Sequence, residues 1–164
     1  MTQICIFLLF TTCGATVGMF CSGLLSKRCN SLNSVSDMLR EMEIYIRYNR
    51  LQLSEIFRKV GNEKCFFVTE QLISSAANGK CFRQEWNNCV LGLEYLKPDD
   101  KNVLYSLGDS IGKSDTEGQV AVIEAAQSRL SACIEDAEDA RRRKGKLYRT
   151  LGILIGAAAG IIAV

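Results

Sequence analysis

All 38 charged side chains of this 164-residue chain lie between Lys27 and Arg149; the first 26 residues and the last 15 carry none. Uncharged ends of that size need an apolar surrounding, and the pattern at their inner edges says which. Arg141, Arg142, Arg143, Lys144, Lys146 and Arg149 run directly into the tail Thr150–Val164. Basic residues are held back on the cytoplasmic side when a helix crosses a membrane. At the other end, Ile4–Leu25 is an uncharged run of 22 residues, about 33 Å as a helix and enough for the hydrocarbon core. Its first charges, Lys27 and Arg28, follow the run, whereas a cleaved signal peptide carries a basic region before it. Both flanks predict the same orientation, with the termini outside and the middle in the cytoplasm. The tail is the shorter span: it reaches crossing length when counted from Leu147, with Arg149 reaching back to the interface.

Within the tail, Gly152, Gly156 and Gly160 recur at intervals of four, and Gly14 and Gly18 repeat that spacing in the first run. Residues four apart share a helix face, and small ones let a second backbone approach closely. These five glycines are therefore the candidate helix-pairing residues; tolerance of small residues in a membrane helix is the plainer alternative.

The polar middle reads as helical throughout. Leu32, Val35, Leu39, Met42 and Ile46 follow a 3,4,3,4 stride, an apolar face for core packing and too short for a coiled coil. A second helix presents Leu53, Ile56, Phe57 and Val60 and is expected to stop at Gly61. A third spans about 62–78 with Phe66, Phe67, Leu72, Ile73 and Ala76 inward, and a fourth about 81–96 with Phe82, Trp86, Val90, Leu93 and Leu96. Pro98 opens a fifth, helped by Asp99 and Asp100 at its positive end, ending near Gly112. Ser114 stands three before Glu117, a capping-box spacing, and starts a long helix that runs through Gly145, a candidate hinge, into the tail. No alternating strand pattern appears. The expected architecture is all-α: a cytoplasmic body of about six helices (27–146) between an N-terminal transmembrane anchor (1–26) and a C-terminal transmembrane helix (147–164).

Chemistry is hard to find in this chain. It has no histidine, and its eight cysteines show no CxxC pair, so neither a zinc site nor a His-assisted nucleophile is indicated. The cysteines read as reduced and mostly buried. Asp99, Asp100, Asp136, Glu138 and Asp139 fit caps and solvated helix faces better than a catalytic carboxylate pair. Gly112-Lys113-Ser114 ends like a phosphate-binding loop, but the required spacing and preceding strand are missing. No catalytic residue, cofactor site or metal site is predicted. Nucleic acid is not an expected partner, because topology already accounts for the basic cluster. An interaction protein fits best, with a membrane-anchored enzyme as the rival from another class.

Several stretches carry a more specific signal. They are Glu41-x-x-x-Tyr45 with Leu51-x-Leu53-Ser54-Glu55, and Gly79 leading to Trp86. They continue with Leu104-x-x-Leu107-Gly108-x-x-Ile111-Gly112-x-Ser114-Asp115-x-x-x-Gln119, and close with Lys146-x-Tyr148-x-x-Leu151-Gly152-x-x-x-Gly156. Over essentially its whole length the chain resembles the stage III sporulation protein AB family of endospore-forming bacteria. Leu107, Gly108, Gly112, Ser114, Asp115 and Gln119 form the most specific motif. The resemblance implies a helical body like the cytoplasmic domain of the inner-membrane platform protein of type II secretion and type IV pilus systems. It also implies a place in a channel complex between mother cell and forespore, in the mother-cell membrane surrounding the forespore, as a scaffold docking a secretion-type ATPase. Other channel components, the membrane and further copies of the chain would then be its partners. A generic membrane adaptor without an ATPase partner is the alternative.

Overall fold

A computed structural model describes residues 2–49, 51–63, 68–79 and 81–163, and the side chains of 8–49, 51–61, 68–79 and 81–162. Six α-helices follow in order: α1 (Thr2–Ile44), α2 (Leu53–Glu63), α3 (Glu70–Asn78), α4 (Phe82–Leu91), α5 (Pro98–Ser110) and α6 (Thr116–Ala163). A π-helical turn, Tyr45–Asn49, closes α1, and the described residues contain no strand. The chain is all-α, as its periodicity requires. Contacts divide it into two units, Asn30–Ile134 and a second made of Met1–Cys29 with Glu135–Val164. Helices α1 and α6 contribute residues to both.

In the unit Asn30–Ile134 the apolar stride of α1 is the core. Leu32, Val35, Leu39, Met42 and Ile46 are all buried, as are Ile56, Phe57 and Val60 of α2 and Val120, Ile123 and Leu130 of α6. Successive short helices pack on one another, α2 on α3, α3 on α4 and α4 on α5. Phe57, Phe82 and Trp86 bring three rings together with centroids 5.9 to 6.1 Å apart, within the range where aromatic pairs attract beyond simple burial. On the outer surface Arg47 bridges Glu43 and Glu124 at 2.8 and 2.6 Å, while Gln127 donates to Glu43.

Trp86 is fully buried, and its indole N–H must find an acceptor there. It donates to the carbonyl oxygen of Leu104 at 2.7 Å. Reaching a backbone carbonyl inside a helix requires that the next turn carry no side chain in the way. Gly108 meets that need: a Cβ at this position would collide with the indole ring.

The helix ends differ from the sequence expectation in several places. Helix α2 passes through Gly61 to Glu63, and the small residue serves a packing role, since Val68 crosses within 3.1 Å of where its Cβ would stand. Helix α3 begins at Glu70, not near 62, because Thr69 caps it and accepts from the Leu72 N–H at 3.3 Å. Phe66 and Phe67, expected on that helix, lie outside the described residues. Helix α4 stops at Leu91, and Leu93 and Leu96 belong to the turn that follows. Its terminal carbonyl is satisfied by the Lys101 ammonium, which donates to Leu91 at 3.0 Å. Pro98 does open α5, and the Asp100 carboxylate accepts from the Lys97 N–H at 2.9 Å.

The cap of α6 is Asp115 rather than Ser114. Its carboxylate accepts from the Gly118 N–H at 3.1 Å, and Gln119 folds back to donate to the Ser114 carbonyl at 3.0 Å. A Cβ on Gly118 would come within 2.7 Å of the Ser114 Cβ and 2.9 Å of the capping carboxylate, so this register favours glycine at the third helical residue. The cysteine expectation also shifts. Of the six described, only Cys29 and Cys89 are buried, and Cys13 and Cys81 are exposed.

Two substitutions test this account. Gly108→Ala is expected to lose about 1–3 kcal/mol by overpacking against Trp86, measured as a denaturant midpoint of the detergent-purified chain. Asp115→Ala should cost about 1 kcal/mol of cap energy, whereas Ser114→Ala should be close to neutral. Equal losses for the two would restore the Ser114 cap.

Candidate functional site: a glycine-packed helical hairpin

The unit formed by residues 1–29 and 135–164 is a pair of antiparallel helical segments. Gly14 lies against Gly152 and Gly156, Gly18 against Tyr148 and Arg149, Gly156 against Phe10 and Thr11, and Gly145 against Ser22. As the numbers rise on one helix they fall on the other, which defines the antiparallel sense. A Cβ on Gly14 would stand 2.8 Å from the Gly156 Cα, and one on Gly18 would stand 2.6 Å from the Tyr148 carbonyl oxygen. A Cβ on Gly152 would approach the Gly18 Cα to 3.0 Å, and one on Gly156 the Thr11 Cα to 3.1 Å. These neighbours are backbone atoms and cannot swing aside. The contact therefore exists only with glycine on both helices.

Of the five glycines singled out for pairing, the structure brings Gly14, Gly18, Gly152 and Gly156 together with one another. Gly160 is buried. Gly145 also belongs to the interface, a role that its isolated position in a basic cluster did not signal. Helix α6 continues through it without a break. Gly23, by contrast, faces open space.

Polar groups on these segments are satisfied locally. Thr12 donates to the carbonyls of Leu8 and Leu9, and Thr16 to that of Cys13, the way a helix satisfies hydroxyls without water. At the charged end, Arg28 is almost fully buried and pairs with Asp136 at 3.0 Å. The sequence marks Arg28 only as a membrane-flanking cation and Asp136 only as a solvated carboxylate. No local pattern announces a pair 108 residues apart. Lys27, Arg141, Arg142, Arg143, Lys144, Lys146 and Arg149 are exposed.

Both helices are long and apolar enough to cross a membrane, and their apolar side chains remain uncovered. Leu9, Val17, Met19 and Phe20 on α1, and Ile153, Leu154, Ile155 and Ile161 on α6, are each at least half exposed. The remaining motif residues serve the fold: Leu107 is buried in the core, Gly108 makes room for Trp86, Gly112 takes the left-handed conformation at φ 79° after α5, and Ser114, Asp115 and Gln119 form the α6 cap. Among the described residues, no three His, Cys, Asp or Glu side chains come together in a group suited to a metal ion.

An all-α protein with two uncovered apolar helices paired through glycine is thus the class that fold and site define. A family model described as stage III sporulation protein AB matches residues 3–164. The chain belongs to the stage III sporulation protein AB family, a sporulation family. No curated protein and no solved structure matches it.

The pairing has a direct test. With the native cysteines replaced, Gly14→Leu or Gly152→Leu should separate the helices and abolish crosslinking between cysteines placed at 22 and 145, where a Cβ on Gly145 meets only the Ser22 hydroxyl at 3.2 Å. Gly23→Leu should leave the crosslink intact. Retention of the crosslink in either of the first two variants would remove the glycine contact as the cause of pairing.

Proposed function

We propose that the chain is a non-enzymatic membrane scaffold of a secretion-like channel complex formed during sporulation, and that it docks a secretion-type ATPase in the cytoplasm. The observation that carries this reading is the hairpin. Two helices with uncovered apolar side chains are locked by backbone contact, and both also contribute to a unit whose described elements are all helices. Such an arrangement suits a part whose work is to hold other parts in position. The even placement of Lys27, Arg28 and the Arg141–Arg149 cluster at one end of the hairpin supports a cytoplasmic location for that end. Family membership supports the setting, the mother-cell membrane around the forespore, and the likeness to secretion platform proteins that the family resemblance implies would make an ATPase the partner. Further copies of the chain are natural additional partners, since the hairpin uses one face of each helix and leaves the others to lipid or protein.

The test is association of the full chain, reconstituted in lipid nanodiscs, with a secretion-type ATPase from the same sporulating cell. Calorimetry at modest salt should give micromolar or tighter binding, and exposed charge reversals on the helical unit should then map the contact. Absence of binding by the intact, membrane-embedded chain would sink the ATPase-docking role.

A further inference from the structure

The hairpin sets its two segments in a register that neither apolar run announces alone. Gly18 lies against Tyr148 and Arg149, and Ser22 against Gly145. Gly145 stands inside the basic cluster Arg141–Arg149. The last turns of the apolar run of α1, from Gly18 to Leu25, therefore run beside cations and not beside the uncharged tail. Met19, Phe20 and Leu24 are exposed at that level, by 65%, 66% and 41%. On α6, Arg141, Lys144, Lys146 and Arg149 have no acidic partner among the described residues, while Arg142 and Arg143 reach Glu138 and Asp139 only at 3.5 and 3.6 Å.

Placing the whole α1 run in hydrocarbon would drag this cluster in with it, at a prohibitive desolvation cost. The edge of the hydrocarbon must therefore fall close to Arg149. Beyond it α6 has the 15 residues Thr150–Val164, about 22 Å of helix against a core of about 30 Å. Snorkelling by Arg149 and Lys146 makes up part of the difference. What is left at headgroup level is a collar in which the basic side chains of α6 stand level with exposed Met, Phe and Leu of α1. That mixture is the composition of segments that lie in the interface of anionic membranes.

We propose that this collar binds acidic phospholipids, with their phosphates among Arg141, Arg142, Arg143, Lys144 and Lys146 and their glycerol and uppermost acyl carbons against Met19 and Phe20. The proposal rests on the membrane reading above, and the experiment separates the two. The full chain is reconstituted in vesicles of phosphatidylcholine mixed with phosphatidylglycerol and first washed in alkaline carbonate. Release into the wash would defeat the membrane reading itself. From the retained chain, the lipid that stays bound through detergent purification is quantified. Phosphatidylglycerol should be enriched roughly tenfold or more, since each cation near the surface adds its own attraction. The variant with Arg141, Arg142, Arg143 and Lys144→Gln should remain in the vesicles with unchanged helicity and lose that enrichment. A control with Arg40, Arg58, Lys113 and Arg129→Gln should keep it. Equal retention of the two lipids, or enrichment undiminished in the collar variant, would overturn the proposal. So would loss of enrichment on adding millimolar inorganic phosphate, which would mark a free-anion site, or crosslinking of a second copy through position 20.

Discussion

The close approach of two backbones is the interaction on which the unit of residues 1–29 and 135–164 depends. Between helices in an apolar solvent there is little hydrophobic drive, because lipid tails are as apolar as the side chains they replace. What remains is dispersion, and dispersion rewards only atoms in near contact. Gly14, Gly18, Gly152 and Gly156 make that contact available by removing every side-chain atom from the line where the helices meet. The same line carries Ser22 against Gly145 and ends at the Arg28–Asp136 ion pair. One geometric condition thus sets the register, and the register in turn sets cations beside the apolar residues of the neighbouring helix.

The unit Asn30–Ile134 solves a different problem. Its apolar side chains are buried against one another, and polar groups caught in that core become the difficulty. Trp86 and Asp100 are both fully buried, and each has a named partner: the Leu104 carbonyl for the indole and the Lys97 N–H for the carboxylate. Short helices with many ends leave many unpaired backbone groups. Thr69, Asp115, Gln119 and Lys101 each satisfy one of them. The most specific motif of the chain, from Leu107 to Gln119, therefore reads as a folding device that seats Trp86 and turns α5 into α6.

Much of this was legible beforehand. The stride Leu32, Val35, Leu39, Met42, Ile46 is buried residue for residue, because a 3.6-residue period leaves a helix only one apolar face to bury. Pro98 and the uncharged ends were equally plain, since a missing N–H and a missing charge are properties of residues and not of their neighbours. Helix ends were less legible. Gly61 looked like a stop and Ser114 like a cap, yet Val68 needs the space at Gly61 and Asp115 competes one residue later with a stronger acceptor. The first choice is settled by a packing contact that local pattern does not reveal, the second between two adjacent acceptors that the capping-box spacing does not rank.

The sequence by itself determined the class: all-α, apolar at both ends, basic at the inner edges, with glycines at intervals of four that favour close helix contact. Period and charge are local, and the solvent reads them directly. Tertiary structure alone decided which glycines meet, that Arg28 finds Asp136, and that Gly108 is empty for the sake of Trp86. It also decided that Met19, Phe20 and Leu24 stand level with the Arg141–Arg149 cluster. Those facts are matters of register between segments more than a hundred residues apart. Register follows from which surfaces fit, a property of two helices together that neither carries alone.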